Sequence, residues 1–588
     1  MSTRRLIVVQ ISLLVFSAAI VGRLFYWQIV KHEDFSALAK TQIENTVFIG
    51  AERGKISASD NSILVSNQKA YLTYAVLPEI KKLKKNETYD ELVKRIVDSI
   101  TPILLEEKFV AKEKVTQKEK DSAREEIREG IAFQLRLPNV VWVPIARRIG
   151  EETKQKIEKL GIKGIGFEKD TKRFYPEGTM AANLLGFVGK DDQGNDRGYG
   201  GIEGYYDSKL RGRPGELVQE VDALGRPILA APSEGLEALN GSDLLTTIDR
   251  SVQFVVDKKL AEGVEKYGAK GGAVIFLDPK TGAVLASASY PTFDLLNPAG
   301  SEAENYKNTG ISEIYEPGST FKSITFVAAL DSGAVNTDTI CPCSGPIKAS
   351  GYEVQTVDNN YHPNSTIAQI LQHSDNVGAG FAAQKMGADT FLKYIKDFGF
   401  GEALQVDLQG EETGIVKERR DWHEIELVTA AFGQGISVTP LQMINALSAI
   451  ANDGKLMKPY VVKKITGPNG VIEFKPKEIR TVIKPETAAI MKQLLLAAVE
   501  GGEAKKIVPH GYRVAGKTGT AQVPIGGSYS GKTVASFIGF GPVEDPRFAA
   551  IVVLFEPSAS IWASETAEPI FFKIITELYP YWGIPVHQ

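Results

Sequence analysis

An α+β protein behind one amino-terminal membrane-spanning helix is the architecture this sequence predicts, and three observations predict it. Leu6–Gly22 runs without a charge directly after Arg4 and Arg5. The carboxyl-terminal half has strand-like segments at both its ends and helical stretches between them, the pattern of a sheet assembled from distant pieces of chain. The overall composition is that of an ordinary globular protein, 43% hydrophobic and 24% charged. At 588 residues the chain has room for roughly three to four units. Its net charge of −4 gives no sign of a nucleic-acid partner.

The amino terminus departs most from soluble composition. As a helix, Leu6–Gly22 extends about 26 Å, just short of a hydrocarbon core. Arg23 interrupts, and Leu24–Val30 continues largely apolar with Tyr26 and Trp27. An arginine there can snorkel outward, and the aromatic pair suits a membrane interface. Ser17-Ala18-Ala19 offers the small residues of a signal-peptide cleavage site, but the apolar tract runs past them, which favours an uncleaved anchor. The leading arginines place residues 1–5 in the cytoplasm, with 6–30 as anchor and the remaining chain outside. No second stretch is long and apolar enough to span.

Beyond the anchor, residues 45–80 alternate apolar and polar around Gly54 and Asn61, which predicts strands and turns. Residues 85–160 are rich in Lys and Glu and read as solvated helices. From 171 to 235 glycine punctuates short extended segments such as Gly186–Gly189. A second composition begins near Asn240, so 31–239 is taken as one module and 240–588 as another. Val274–Leu277 and Val284–Ala286 flank Asp278-Pro279-Lys280-Thr281-Gly282, a hairpin signal. Helical stretches follow between 319 and 450, strands return from 512 to 555, and a helix closes the chain near Pro569–Leu578.

Three short motifs carry the chemistry. Tyr315-Glu316-Pro317-Gly318 ends a loop, and Ser319 opens a helical stretch in which Lys322 lies one turn on, on the same face. A serine there sits at the positive helix end, and a lysine packed among apolar neighbours can lose its proton and act as a base. Ser-x-x-Lys alone is weak, since composition supplies roughly two or three in such a chain. Ser374-Asp375-Asn376 lies between the capped helix Ile367–His373 and another beginning near Val377. Its hydroxyl and carboxamide can relay a proton and hold a peptide, though Ser, Asp and Asn also make ordinary turns. Lys517-Thr518-Gly519-Thr520 falls in a strand read as Tyr512–Val523, where Gly516 and Gly519 admit another backbone. Its cation and hydroxyls suit a carboxylate. All three in this order, each in the required structural context, form a specific signature.

Other signals point elsewhere. Gly526-Gly527-Ser528-Tyr529-Ser530-Gly531-Lys532-Thr533 matches the phosphate-binding P-loop pattern, but the β-branched and aromatic Val534–Phe540 reads as a strand rather than the helix such a loop needs. The match is therefore taken as a turn between two strands. Cys341 and Cys343 are too few for a disulfide framework, and a bridge across one residue closes a strained small ring. No soft metal ligands stand nearby, so both read as structural residues. The six histidines are scattered, and His373 beside Ser374 reads as a helix-end residue.

The three motifs resemble those of penicillin-binding proteins and serine β-lactamases, and the rest of the chain is similar to class B penicillin-binding proteins. Arg53-Gly54-Lys55-Ile56, Arg173-Phe174-Tyr175-Pro176 and Gly201-Ile202-Glu203-Gly204 resemble that family's non-catalytic pedestal module. Leu245-Thr246-Thr247-Ile248-Asp249 resembles the opening of its transpeptidase domain, and Gly433-Gln434-Gly435 with Thr439-Pro440 a segment before its third motif. Ser57-Ala58-Ser59-Asp60-Asn61 replaces the family's usual Asp-Arg-Asn-Gly turn, which loosens only the pedestal assignment.

The resemblance implies a β-lactamase-like domain, an antiparallel sheet flanked by helices, that cross-links peptidoglycan stem peptides and is blocked by β-lactams. Ser319 would be the nucleophile, Lys322 its base, Ser374 the proton relay and Asn376 a peptide clamp. Lys517, Thr518 and Thr520, with Gly519 between them, would bind the terminal carboxylate, and the N–H groups of Ser319 and Thr520 would form the oxyanion hole. No metal or organic cofactor is implied. A glycosyltransferase polymerase and division proteins are the implied partners. Tyr315–Gly318 and the Val377-Gly378 that follows the second motif resemble division-type members. Alternatives are an elongation-type enzyme, or a penicillin sensor or β-lactam hydrolase on the same domain.

Overall fold

The charge-free amino-terminal run forms one α-helix, Thr3–Phe25, wound into a π-helical turn over Tyr26–Val30. The computed structural model describes residues 3–81, 87–110, 115–220, 234–502, 505 and 507–586. The apolar side chains of this first helix are exposed along its length, and Arg4–Val30 is long and apolar enough to cross a bilayer. The Arg23 guanidinium lies 5.6 Å from the Tyr26 ring and 5.1 Å from the Trp27 ring, so its charge is shared with the aromatic pair. Helix His32–Ile43 leads into strand Glu44–Ile49, which pairs antiparallel with Gly215–Glu220, itself paired with Glu234–Leu236. These elements belong to one compact unit, Met1–Glu52 with Gly212–Gly241. Residues 221–233, part of the stretch expected to be extended, lie outside the described residues.

The second unit comprises Arg53–Arg211 and Ser242–Gln588 and holds two principal sheets. In the first, Gly470–Glu473, Val462–Gly467, Asp243–Thr246, Ile56–Ser57, Ile63–Val76 and Trp142–Ile149 lie side by side, and Ile165–Phe174 also pairs with Ile63–Val76. Strands from both sides of Asn240 are thus hydrogen-bonded in one sheet. Helices Tyr89–Phe109 and Gln117–Leu135 begin at capping boxes, Thr88 with Glu91 and Thr116 with Glu119. They bury Leu92, Ile96, Ile100, Ile131 and Leu135. The expectation of solvated helices throughout 85–160 is corrected in two ways. Each helix has an apolar face in a core, and Trp142–Ile149 is a strand. Val143 and Ile145 alternate there rather than recurring at helical spacing, and Pro144, which lacks an N–H, suits a strand at the end of the order.

The three pedestal motifs converge on a buried ionic cluster. Glu203, whose side chain is fully buried, takes Arg53 on one oxygen at 2.5 Å and Arg173 on the other at 2.6 Å. Arg53 also reaches Asp207 at 2.7 Å, while Asn67 accepts from Arg173 and donates to the Arg53 carbonyl. Ions this buried lose their hydration, so removing one partner strands the others. Arg53→Ala is expected to destabilise the protein by about 3–5 kcal/mol, whereas breaking the exposed Lys108–Glu126 pair costs less than about 1 kcal/mol. Chemical denaturation of the two variants checks the difference.

The second sheet has five antiparallel strands in the order Val284–Tyr290, Gly271–Leu277, Phe548–Phe555, Ser528–Gly541, Ala515–Ile525. The turn Asp278–Gly282 joins the first two as expected, closed by bonds from Gly282 N to Asp278 O (2.8 Å) and Asp278 N to Ala283 O (2.9 Å). Val274, Phe276, Phe537 and Phe548 pack against helices Arg250–Tyr267 and Ala567–Tyr581. Ile275, Ile538 and Ile551 belong to a separate core that includes the helices Lys322–Asp331 and Pro440–Ala451. The α+β architecture expected from sequence is the one observed. One expectation fails: Cys341 and Cys343 are joined in a disulfide. The left-handed backbone at Cys343 (φ +40°) sets the two Cα atoms 5.3 Å apart, within reach of a bridge.

Candidate active site

The position of Ser319 is set by a tight turn between two glycine contacts. Gly318–Phe321 forms a 3-10 turn that passes into helix Lys322–Asp331, so Ser319 sits in the turn and Lys322 begins the helix. Gly433 packs onto this turn, where a Cβ would fall 2.3 Å from the Gly318 carbonyl oxygen, and its own carbonyl accepts from Gly318 N at 3.1 Å. From the other side comes the Ala515–Ile525 strand. A Cβ at Gly519 would lie 2.7 Å from Thr320 Cγ2 and 2.8 Å from the Pro317 carbonyl oxygen. Glycine at both positions lets three backbones meet around one serine.

Lys322 is fully buried, while Ser319 is partly exposed. Its Nζ lies 3.0 Å from Ser319 Oγ, 3.2 Å from Ser374 Oγ and 2.8 Å from Asn376 Oδ1, and it donates to the Ser374 carbonyl as well. The first and second motifs therefore meet at one nitrogen. Ser374 has left-handed backbone (φ +54°) at the exit of helix Ile367–Gln372, a place where glycine is the usual residue. A serine there is strained, and both its oxygens face Lys322. Asp375, fully buried, caps helix Asn376–Met386 by accepting from Val377 N at 2.8 Å. Asn376 Nδ2 donates to Gln355 O at 3.4 Å, which leaves Oδ1 toward the lysine.

The third motif lies opposite. Ser374, Lys517 and Thr518 line one narrow cavity between the second motif and the strand. Lys517 is almost fully buried, and its Nζ donates to Thr518 Oγ1 at 3.2 Å. Thr520 Oγ1 accepts from Ala563 N at 3.0 Å, which leaves its hydroxyl hydrogen free to donate. All eight residues singled out from the sequence thus fall in one region. Sequence reasoning missed the capping role of Asp375. It also gave no role to Glu316, whose Oε1 accepts from Gly435 N at 2.9 Å, although closeness to Ser319 in the chain was a usable signal.

A serine beside a buried amine, with a second hydroxyl at that amine and a lysine- and threonine-bearing strand opposite, is the arrangement of a serine acyltransferase on an α+β fold. The family model described as penicillin binding protein transpeptidase domain matches residues 272–576, and that described as penicillin-binding protein dimerisation domain matches 48–246. Stage V sporulation protein D of Bacillus subtilis is 32% identical over 570 residues, covering 96% of this chain and 83% of that protein. Peptidoglycan D,D-transpeptidase FtsI of Escherichia coli is 32% identical over 441 residues, covering 74% of this chain and 72% of that one. The crystal structure of penicillin binding protein 2X from Streptococcus thermophilus superposes with a TM-score of 0.70 at 25% identity, covering 90% of this chain and 80% of that chain. The chain belongs to the class B penicillin-binding proteins.

The P-loop match is a hairpin. Gly526 and Gly527 connect strands Ala515–Ile525 and Ser528–Gly541, and Lys532 pairs with Glu556 at 2.6 Å. Without a helix start after the glycines, no row of free N–H groups faces a phosphate. Lys532→Ala is expected to change penicillin labelling by less than about twofold, because an exposed pair contributes at most about 1 kcal/mol. Calorimetric titration with ATP is expected to show no binding.

Proposed function

We propose that this protein is a membrane-anchored peptidoglycan D,D-transpeptidase in which Ser319 forms the acyl-enzyme. The observation that carries the reading is the convergence of Ser319, Ser374 and Asn376 on Lys322 Nζ. Two of the oxygens there, the Ser374 carbonyl and Asn376 Oδ1, can only accept hydrogen bonds. A neutral amine satisfies both with its N–H groups and turns its lone pair toward a hydroxyl. Burial favours that neutral form. Ser319 then gives its proton to Lys322 as Oγ attacks the carbonyl between two terminal D-alanines. The proton passes through Ser374 Oγ to the departing D-alanine nitrogen as the C–N bond breaks. An amine of a second strand displaces Ser319 from the ester.

Backbone N–H groups of Ser319 and Thr520 hold the developing oxyanion, a role supported by the contact between turn and strand at Gly318 and Ala521. The donor's terminal carboxylate is received by the hydroxyls of Thr518 and Thr520, with Lys517 acting as a nearby cation that orients Thr518. Asn376 clamps the donor peptide. Residues 1–5 lie in the cytoplasm, 6–30 cross the membrane, 31–239 form the pedestal and 240–588 the catalytic domain.

Septal wall synthesis is the proposed setting, with a glycosyltransferase polymerase and division proteins as partners; the reading rests on the resemblance of Tyr315–Gly318 and Val377-Gly378 to division-type members of the family. A second reading, a role in sporulation, is favoured by the similarity to stage V sporulation protein D over nearly the whole chain. Fluorescent-penicillin labelling with intact-mass detection tests the chemistry. A stable adduct is expected, and rapid turnover of the adduct would instead mark a hydrolase. Depleting the protein should give filaments of normal width. Rounded cells would indicate elongation, and a defect confined to sporulation would favour the second reading.

A further inference from the structure

We propose that Glu316 and the cavity beside it receive the acceptor amine, so that Glu316 selects an alkylammonium as the second substrate. The inference rests on the transpeptidase reading above. A cavity of about 650 Å³ opens between the loop Glu313–Glu316 and the strand end Ala521–Pro524. It adjoins the nucleophile turn. A Cβ at Gly318 would lie 3.1 Å from Ala521 Cβ, and Glu316 leads through Pro317 and Gly318 to Ser319. The Glu316 carboxylate is fixed on both oxygens: Gly435 N donates to Oε1 at 2.9 Å and the Tyr529 hydroxyl to Oε2 at 3.1 Å.

Two other carboxylates of the cavity are paired, Glu313 with Lys307 and Glu556 with Lys532, while Glu304 and Lys270 also line the space. Glu316 has no ion-pair partner among the described residues, and partial burial raises its carboxyl above the ordinary value. A docked cation would relieve that cost. Ile314, Val523 and Phe555 also line the space, and Tyr315 meets Phe555 edge to face at 6.3 Å. A fixed, half-buried carboxylate beside the apolar side chains of Ile314, Val523 and Phe555 complements a cation on a methylene chain, which is the chemistry of an amine side chain on a stem peptide. In the transfer the new C–N bond forms at the acyl carbonyl and the C–O bond to Ser319 breaks. The ammonium loses two protons, one returning to Ser319 Oγ through Lys322 and one leaving to solvent.

The test uses the full chain in detergent, acylated by a D-alanyl thioester donor, with Nα-acetyl-L-lysine amide or hydroxylamine as acceptor. The first is a cation near neutral pH and the second is largely uncharged. Glu316→Gln is expected to raise KM for the lysine amide about tenfold or more, the loss of one charge-assisted contact, while kcat and the hydroxylamine reaction move less than about threefold. Glu316→Asp keeps the charge and should recover most of the lysine amide KM. Equal losses for both acceptors, or an unchanged lysine amide KM, would overturn the inference. A wild-type protein that penicillin does not label would overturn the transpeptidase reading itself and the inference with it.

Discussion

Ser319→Ala is expected to abolish covalent penicillin labelling, with acylation falling on the order of a million-fold, because the constellation around it acts as a unit and loses the proposed nucleophile. The substitution removes one oxygen from a partly exposed position, and Gly433 and Gly519 continue to hold the turn. Thermal unfolding should therefore shift little. The neighbouring hydroxyl of Ser374 stands 3.2 Å from the same lysine and is the natural substitute nucleophile. It belongs to neither the turn nor the strand whose N–H groups are proposed for the oxyanion, so it should not rescue the reaction. Intact-mass detection of an adduct on the variant would assign the nucleophile elsewhere.

The second large effect is expected at Lys322. Lys322→Ala removes the group proposed to take the Ser319 proton and to return it through Ser374. General-base catalysis supplies up to about ten-thousand-fold, so labelling should fall by roughly that factor. Because Lys322 is fully buried among oxygens that then lack a donor, stability should also fall, by about 1–3 kcal/mol. Lys517→Ala provides the contrast. Its Nζ donates to Thr518 Oγ1 and its proposed role is carboxylate recognition, so the expected loss is roughly ten- to a hundredfold in acylation. Stopped-flow acylation by a chromogenic cephalosporin separates the two roles. Similar residual rates in the two variants would contradict the division between base and binder.

Much of this protein was legible from local pattern. The charge-free run after Arg4 and Arg5 forms a helix, and with its continuation to Val30 it is long enough to cross a bilayer. The hairpin around Asp278–Gly282 follows from turn chemistry between apolar runs. Ser319 and Lys322 share a face because residues one turn apart must. The β-branched run Val534–Phe540 ruled out a phosphate loop because a strand cannot open the row of N–H groups that a helix does. Where local pattern was ambiguous the reading slipped. The charge of 85–160 concealed the alternation of Val143 and Ile145, and the spacing of Cys341 and Cys343 argued against a bridge that a left-handed residue makes possible.

By itself, then, the sequence determined the chemical inventory: which hydroxyls, amines and carboxylates exist, and which are neighbours within a turn of helix or a stretch of strand. Only the tertiary structure decided that Asn376 Oδ1 and the Ser374 carbonyl take up hydrogen bonds from Lys322, that Lys517 donates to Thr518 Oγ1, and that Glu316, beside a cavity, has no ion-pair partner among the described residues. The reason is physical. Local periodicity fixes the direction of a side chain relative to its own helix or strand, whereas burial and hydrogen-bond partners depend on which distant segments pack against it, and here those segments are brought together by close approach at Gly433 and Gly519.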